Sequence, residues 1–180
     1  WHLHQSLRAH DSDDNAFMPT EDGAVMSPLA EHYAAGLLEH AAAASVFTTP
    51  TINGYKRFQP YSLAPDRAIW GHDDRGVMIR AVGGKDDAGT RLENRAGDPA
   101  ANPYLYMASQ ILCGMDGMDR KLPLGPPAEA AYEADGPKMP RTLWDAMAAL
   151  AENAMFREKL GDQFVDYILT VKQSEVSRFL

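Results

Sequence analysis

The sequence predicts an α+β domain. Short strand-like patterns occupy residues 1–7, 67–71, 76–82 and 91–95. Longer stretches with helix-start signals and helical periodicity follow at 27–44, 102–118, 143–151 and 161–180. The segments between them are polar or rich in proline and glycine.

Trp1 to Leu7 alternates as a strand interior does, which places His2, His4 and Ser6 on one face. Residues 8–23 are polar and read as a loop. Asp11, Asp13 and Asp14 fall there without the glycine and distal glutamate of an EF-hand. Ser27-Pro28 supplies an N-cap and a first-turn proline, and Leu29, Tyr33, Leu37 and the alanines continue a helix through Ala44. Residues 48–66 contain Pro50, Asn53-Gly54, Pro60 and Pro65, and read as a long irregular loop. Two strands follow, joined by a turn near Asp73-Asp74-Arg75. Gly83–Gly89 is another turn, and Arg91–Arg95 is a strand. Gly83-Gly84-Lys85 lacks the Walker spacing and reads as a plain turn. Asn102-Pro103 opens a helix that runs to about Met118. Residues 122–140 are proline-rich and irregular. Thr142 caps a helix over Leu143–Ala151, with Asp145 completing a capping-box pattern. The last helix carries an apolar stripe of Phe164, Ile168 and Val171. No internal repeat or domain boundary interrupts the chain.

The 180 residues are enough for one domain with its own core. They are 45% apolar and 23% charged, which is ordinary for a soluble globular protein. A net charge of -8 argues against a nucleic-acid surface, so the arginines from Arg57 to Arg95 point to a small anion. No apolar run approaches a membrane span, and the start has no leader-like pattern. Cys113, the single cysteine, reads as a small buried hydrophobe, and its solitude fits a reducing, cytoplasmic location. The strand pattern at Trp1 and the uncapped helix at Arg178-Phe179-Leu180 suggest part of a longer protein.

The chemistry concentrates between Tyr55 and Tyr104. On a strand Arg91, Glu93 and Arg95 share a face, two guanidinium groups flanking a carboxylate. Arg57, Arg75 and Arg80 lie beside strands or turns. For any one arginine an ordinary surface role is commoner. Convergent arginines, however, repel one another without an anion, and with a carboxylate able to hold a metal they suit phosphoryl transfer. His2 with Glu93 makes a mixed imidazole and carboxylate pair suited to Mg2+ or Mn2+.

These motifs resemble the C-terminal half of the glutamine synthetase catalytic domain, over essentially the whole chain. The landmarks fall in order: Trp1-His2-Leu3-His4-Gln5-Ser6-Leu7, the Asn53–Pro65 loop, Asp74-Arg75 through Arg80, Arg91-Leu92-Glu93-Asn94-Arg95, and Asp98-Pro99-Ala100-Ala101-Asn102-Pro103-Tyr104. The resemblance implies a guanido-kinase-like antiparallel sheet with packed helices. A β-grasp domain and further metal carboxylates would lie upstream, in a homo-oligomeric ring. It implies metal binding by His2 and Glu93. ATP contacts fall to His4, Ser6, Arg80 and Arg91. Glutamate is held by Arg57, and Arg75 and Arg95 lie around glutamate and the transferred phosphoryl group. The implied activity joins the γ-carboxyl of glutamate to ammonia or an organic amine through γ-glutamyl phosphate, with ATP as co-substrate. The sequence departs from the family at Tyr61-Ser62-Leu63-Ala64-Pro65, where ammonia-using members carry a glutamate in place of Leu63. Leucine cannot hold ammonium. Together with Trp70-Gly71-His72-Asp73-Asp74-Arg75, it resembles the branch of γ-glutamyl ligases for polyamines and other amines. An ammonia-using glutamine synthetase and a non-catalytic relative are the competing expectations. Tyr132 lies near the position at which some bacterial members are adenylylated, but its flanks differ and it reads as an ordinary loop tyrosine.

Overall fold

A computed structural model describes residues 1–179. Strands β1 (Leu3–Gln5), β2 (Trp70–His72), β3 (Ile79–Val82) and β4 (Arg91–Asn94) form one sheet in the order β1-β4-β3-β2. The expected α+β architecture holds. The β1–β4 and β3–β4 pairs are antiparallel, whereas β2 and β3 run parallel. Residues 73–78 make that short return. Asp73 takes a left-handed conformation (φ 52), and Asp74 Oδ1 accepts from the Gly76 amide at 2.7 Å. The turn therefore extends further into the expected 76–82 strand, which starts only at Ile79. Arg67 and Ala68, expected in the preceding strand, pair instead with the 136–138 segment: the Ala68 amide donates to Pro137 O at 2.8 Å.

One face of the sheet packs on helices. These are α1 (Pro28–Glu39), α2 (Ala41–Thr48), α3 (Pro103–Asp119), α4 (Leu143–Glu152), α5 (Ala154–Leu160) and α6 (Asp162–Phe179). The caps explain most starts. Ser27 Oγ accepts from the Ala30 amide at 3.2 Å, Asn102 Oδ1 from Tyr104 at 3.0 Å, and Thr142 with Asp145 closes a full capping box. The helix expected to run through Ala44 breaks at His40 (φ -98, ψ 9). Its alanines are buried on nearly all sides in α2, so they carry no periodicity that would reveal a break. Residues 154–160, passed over in the sequence, form α5, with Asn153 Oδ1 accepting from the Phe156 amide at 3.0 Å and Gly161 (φ 85) ending it. The supposedly irregular 48–66 segment holds one 3-10 turn, Gly54–Arg57. On α6 the fully buried positions are Val165 and Val176. Phe164 and Ile168 only flank them, so the stripe is rotated from the expected one.

α1 and α3 approach so closely that a Cβ on Gly117 would sit 2.1 Å from His32 O, and one on Gly36 2.0 Å from Cys113 O. Glycine is required there by contact rather than by conformation. Cys113 lies at that seam, fully buried, and burial pushes its thiol well above the ordinary range. It is packing, as expected. The proline-rich 122–140 segment covers the outer edge of β2: the Ala128 amide donates to Trp70 O at 2.9 Å, and Trp70 Nε1 donates to Gly125 O at 3.0 Å.

Candidate active site

The register builds a row across the sheet. His4 of β1 lies opposite Glu93 of β4, and Glu93 opposite Arg80 of β3. Directly opposed residues share a face. On β4, Leu92 and Asn94 turn into the core, so Arg91 and Glu93, with Arg95 just beyond the strand end, take the other side. On β1 the alternation leaves His2, His4 and Ser6 exposed. A one-residue slip of either strand would bury this whole set.

Glu93 is the hub. Its side chain is only 3% exposed, and Oε1 meets His2 Nδ1 at 2.7 Å and Arg95 Nη1 at 2.9 Å, while Oε2 accepts from Arg80 Nη1 at 3.0 Å. His4 Nε2 stands 3.7 Å from Oε1. Burial pushes the Glu93 carboxyl up. The Arg80 hydrogen bond and the charges of Arg95, His2 and His4 together outweigh it and hold the pKa below the ordinary carboxylate range. His2 shifts down, through burial first and the Arg95 charge second, against the pull of Glu93. It is therefore neutral at neutral pH and donates its Nδ1 proton to Oε1. A divalent cation bound at Nδ1 would require the other neutral tautomer, with the ring proton moved to Nε2.

Arg95 is buried. Besides Glu93 it donates from Nε to Arg75 O at 3.0 Å and from Nη2 to Leu63 O at 3.5 Å. It thus ties the Tyr61–Leu63 loop and the Asp74–Gly76 turn to the hub. Arg80 spends its remaining donors on Asp73, with Nε at 3.0 Å. Arg57, sent out by the 3-10 turn, donates from Nη1 to Gly97 O at 2.8 Å and lies 3.4 Å from Asp98 Oδ2. It reaches the exit of β4 without touching Glu93. Arg91 is turned away: Nε donates to His4 Nδ1 at 3.2 Å and Nη1 to Gly89 O at 2.9 Å. The row expected to place Arg91 and Arg95 on either side of Glu93 is thus completed by Arg80 in place of Arg91. Arg75 is exposed, and among the described residues its guanidinium has no hydrogen-bond partner. Ser6 is exposed just past the end of β1.

Sequence reasoning missed the counterions Asp73 and Asp98. Both sit inside the motifs that drew attention, but nothing local says which arginine each would meet. Even with them, the cations of this face outnumber its carboxylates, which suits an anion. For a metal, His2 and Glu93 offer one nitrogen and one carboxylate donor, a fit for part of a Mg2+ or Mn2+ site. Among the described residues no group of three or more His, Cys, Asp or Glu side chains could hold a metal ion. A cavity of about 490 Å³ lies between the 122–140 segment, α1 and β2, and none of the residues above lines it. On this face His2, His4 and Arg75 are open to solvent, with Glu93 and Arg95 buried beneath them.

The family model for the glutamine synthetase catalytic domain matches residues 1–180. A gamma-glutamylanilide synthase from Acinetobacter sp is 49% identical over 100% of the chain and 36% of its own length. A glutamine synthetase from Thermus thermophilus is 36% identical over 96% of the chain and 41% of its own length. A gamma-glutamylethanolamide synthetase from Streptomyces coelicolor is 35% identical over 99% of the chain and 37% of its own length. The chain spans roughly two fifths of these relatives. With the row of His4, Glu93 and Arg80 and the family match over every residue, the chain belongs to the glutamine synthetase family, within its catalytic domain.

Proposed function

We propose that the full-length protein is an ATP-dependent ligase that joins the γ-carboxyl of glutamate to an organic amine through γ-glutamyl phosphate. The observation that carries the choice of acceptor is Leu63. It occupies the loop that touches Arg95 through its carbonyl, and it is an exposed leucine where an ammonium-holding carboxylate is expected. Two of the relatives are named for amides of organic amines, which supports the same reading. In a first step a γ-carboxylate oxygen of glutamate attacks the terminal phosphorus of ATP, and the bond to ADP breaks. The amine nitrogen then attacks the acyl carbon, phosphate leaves, and the nitrogen gives up a proton.

The residues divide this work electrostatically. Arg57 binds the glutamate carboxylate, and Arg75 and Arg95 face the transferred phosphoryl group and glutamate. Arg80 and Arg91 balance nucleotide phosphates, and His4 and Ser6 line the nucleotide site. His2 and Glu93 hold Mg2+ or Mn2+, which when bound neutralises phosphate oxygens. The other metal carboxylates and an N-terminal β-grasp domain are supplied from outside these 180 residues, in a homo-oligomeric ring. The exposure of His2, His4 and Arg75, and a donor set too small to hold a cation alone among the described residues, support that division.

The second reading is an ammonia-using glutamine synthetase, favoured by the relatives that bear that name. Phosphate release from ATP by the full-length protein, with glutamate and a panel of amines beside ammonia, separates the two. An organic amine as the best acceptor is expected; ammonia as clearly the best overturns the proposal.

A further inference from the structure

We propose that Tyr61 and Tyr132 form an aromatic wall of the acceptor site and select an amine with a flat, apolar body that arrives uncharged. This rests on the ligase reading above. The two rings stack with centroids 4.5 Å apart and planes 33° apart. Tyr61 is 76% exposed and Leu63 57%, so an open aromatic face and an isobutyl group stand beside the Arg95 contact. Both residues hold left-handed backbone, with φ of 61 and 58, although neither is glycine. Such conformations cost free energy and persist where the surroundings enforce them. Here Ser62 Oγ lies within hydrogen-bond reach of the Gln59 and Arg57 carbonyls (2.6 and 2.9 Å), and Arg95 Nη2 holds Leu63 O. The loop is thus fastened to Arg57 and Arg95, two of the three arginines expected around glutamate.

Tyr132 comes to the same place from the opposite side. Its Cζ lies 3.2 Å from where a Cβ would sit on Gly76, next to Arg75. Its hydroxyl is buried without a hydrogen-bond partner, so packing holds the ring, and the glycine makes room for it. Glu93 is engaged by Arg80 and Arg95, while Asp74 accepts from the Gly76 amide at 2.7 Å and keeps its charge. The guanidinium groups of Arg57, Arg75 and Arg95 outnumber that single charge and disfavour an alkylammonium ion. An aromatic amine is a weak base, neutral near pH 7, and its ring can stack on Tyr61.

The test compares aniline, ethanolamine and ammonia as acceptors for the full-length protein, as wild type and as Tyr61→Ala, Tyr61→Phe and Tyr132→Phe. Wild type should prefer aniline. Tyr61→Ala should raise the aniline KM, and lower the aniline-to-ethanolamine ratio of kcat/KM, by about two- to tenfold, the worth of one aromatic contact. Tyr61→Phe and Tyr132→Phe should keep the preference, because the rings do the selecting. An unchanged aniline KM in Tyr61→Ala, or equal losses with aniline and ethanolamine, overturns the wall. Ethanolamine preferred by wild type overturns the aromatic selectivity and leaves the organic-amine reading intact. Preference for ammonia, or no turnover with any acceptor, overturns both.

Discussion

Glu93 carries three demands at once. It is nearly excluded from water, it balances Arg80 and Arg95, and it accepts from His2. A carboxylate so placed would be costly if its partners were removed, and its partners would be costly without it. Glu93→Gln keeps the shape but removes the charge, leaving Arg95, itself 5% exposed, with two carbonyls and no counter-ion. We expect the variant to lose about 3 kcal/mol of stability, read by urea denaturation at neutral pH. A loss below about 1 kcal/mol would mean that the hub matters for binding alone. The sequence made this residue legible because alternation on a strand is a local rule: positions 91, 93 and 95 must share a side. It could not make Asp73 and Asp98 legible as counterions. Asp98 meets Arg57 only because a 3-10 turn and the end of β4 come together from distant parts of the chain. The rule put Arg91 on the right face but could not foresee that its guanidinium would turn to His4 and Gly89, since sharing a face does not decide which neighbour a long side chain prefers.

Among the elements, the joint between α1 and α2 illustrates what periodicity conceals. His40 is buried, and Asn153 Nδ2 lies 3.0 Å from its Nδ1, so Nδ1 accepts and Nε2 carries the proton donated to Asp116 Oδ2 at 2.7 Å. One ring therefore pins the α1–α2 break to α3 and to the cap of α5. Burial pushes the Asp116 carboxyl up, but hydrogen bonds from His40 and Arg120 outweigh it and bring its pKa below the ordinary value. A carboxyl lowered in the folded state contributes stability above its unfolded pKa of about 3.9 and loses it as pH falls through the folded value. Asp116→Asn should therefore cost about 1–2 kcal/mol at pH 7, and the gap to wild type should close below about pH 4. Denaturant midpoints across pH 3–7 measure it, and a gap that stays constant would rule out the charge as its source. The strong caps at Ser27, Asn102 and Thr142 were legible because each acts within a few residues. The parallel return of β2 and β3 was not, because a tight turn between two strands normally announces a hairpin. Here the left-handed Asp73 and the Asp74–Gly76 bond redirect the chain.

At the scale of the whole molecule, the helices lie on one side of the sheet and the charged row on the other, where little covers it. α1, α3 and the seam at Gly36 and Gly117 give the sheet a rigid back. That rigidity holds His4, Glu93 and Arg80 in register without help from a ligand. A row held this way can present two metal donors and a surplus of positive charge, yet two donors bind a hard cation weakly, since Mg2+ and Mn2+ favour about six ligands. If the proposed division is right, these 180 residues folded alone should bind Mn2+ at least about tenfold more weakly than the full-length protein. They should also release no phosphate from ATP in the presence of glutamate and amine. Paramagnetic titration of Mn2+ against both proteins measures the first, and a phosphate assay the second. Lowering pH should weaken Mn2+ binding in both, because protonating the neutral His2 ring removes the lone pair a cation needs, and burial with the Arg95 charge sets that loss below the ordinary histidine range. Equal affinity in the two proteins would mean that the donors all lie on this chain, and turnover by the 180 residues would mean that the opposite wall of the cleft is dispensable. Either result would remove the case for placing half of the active site elsewhere.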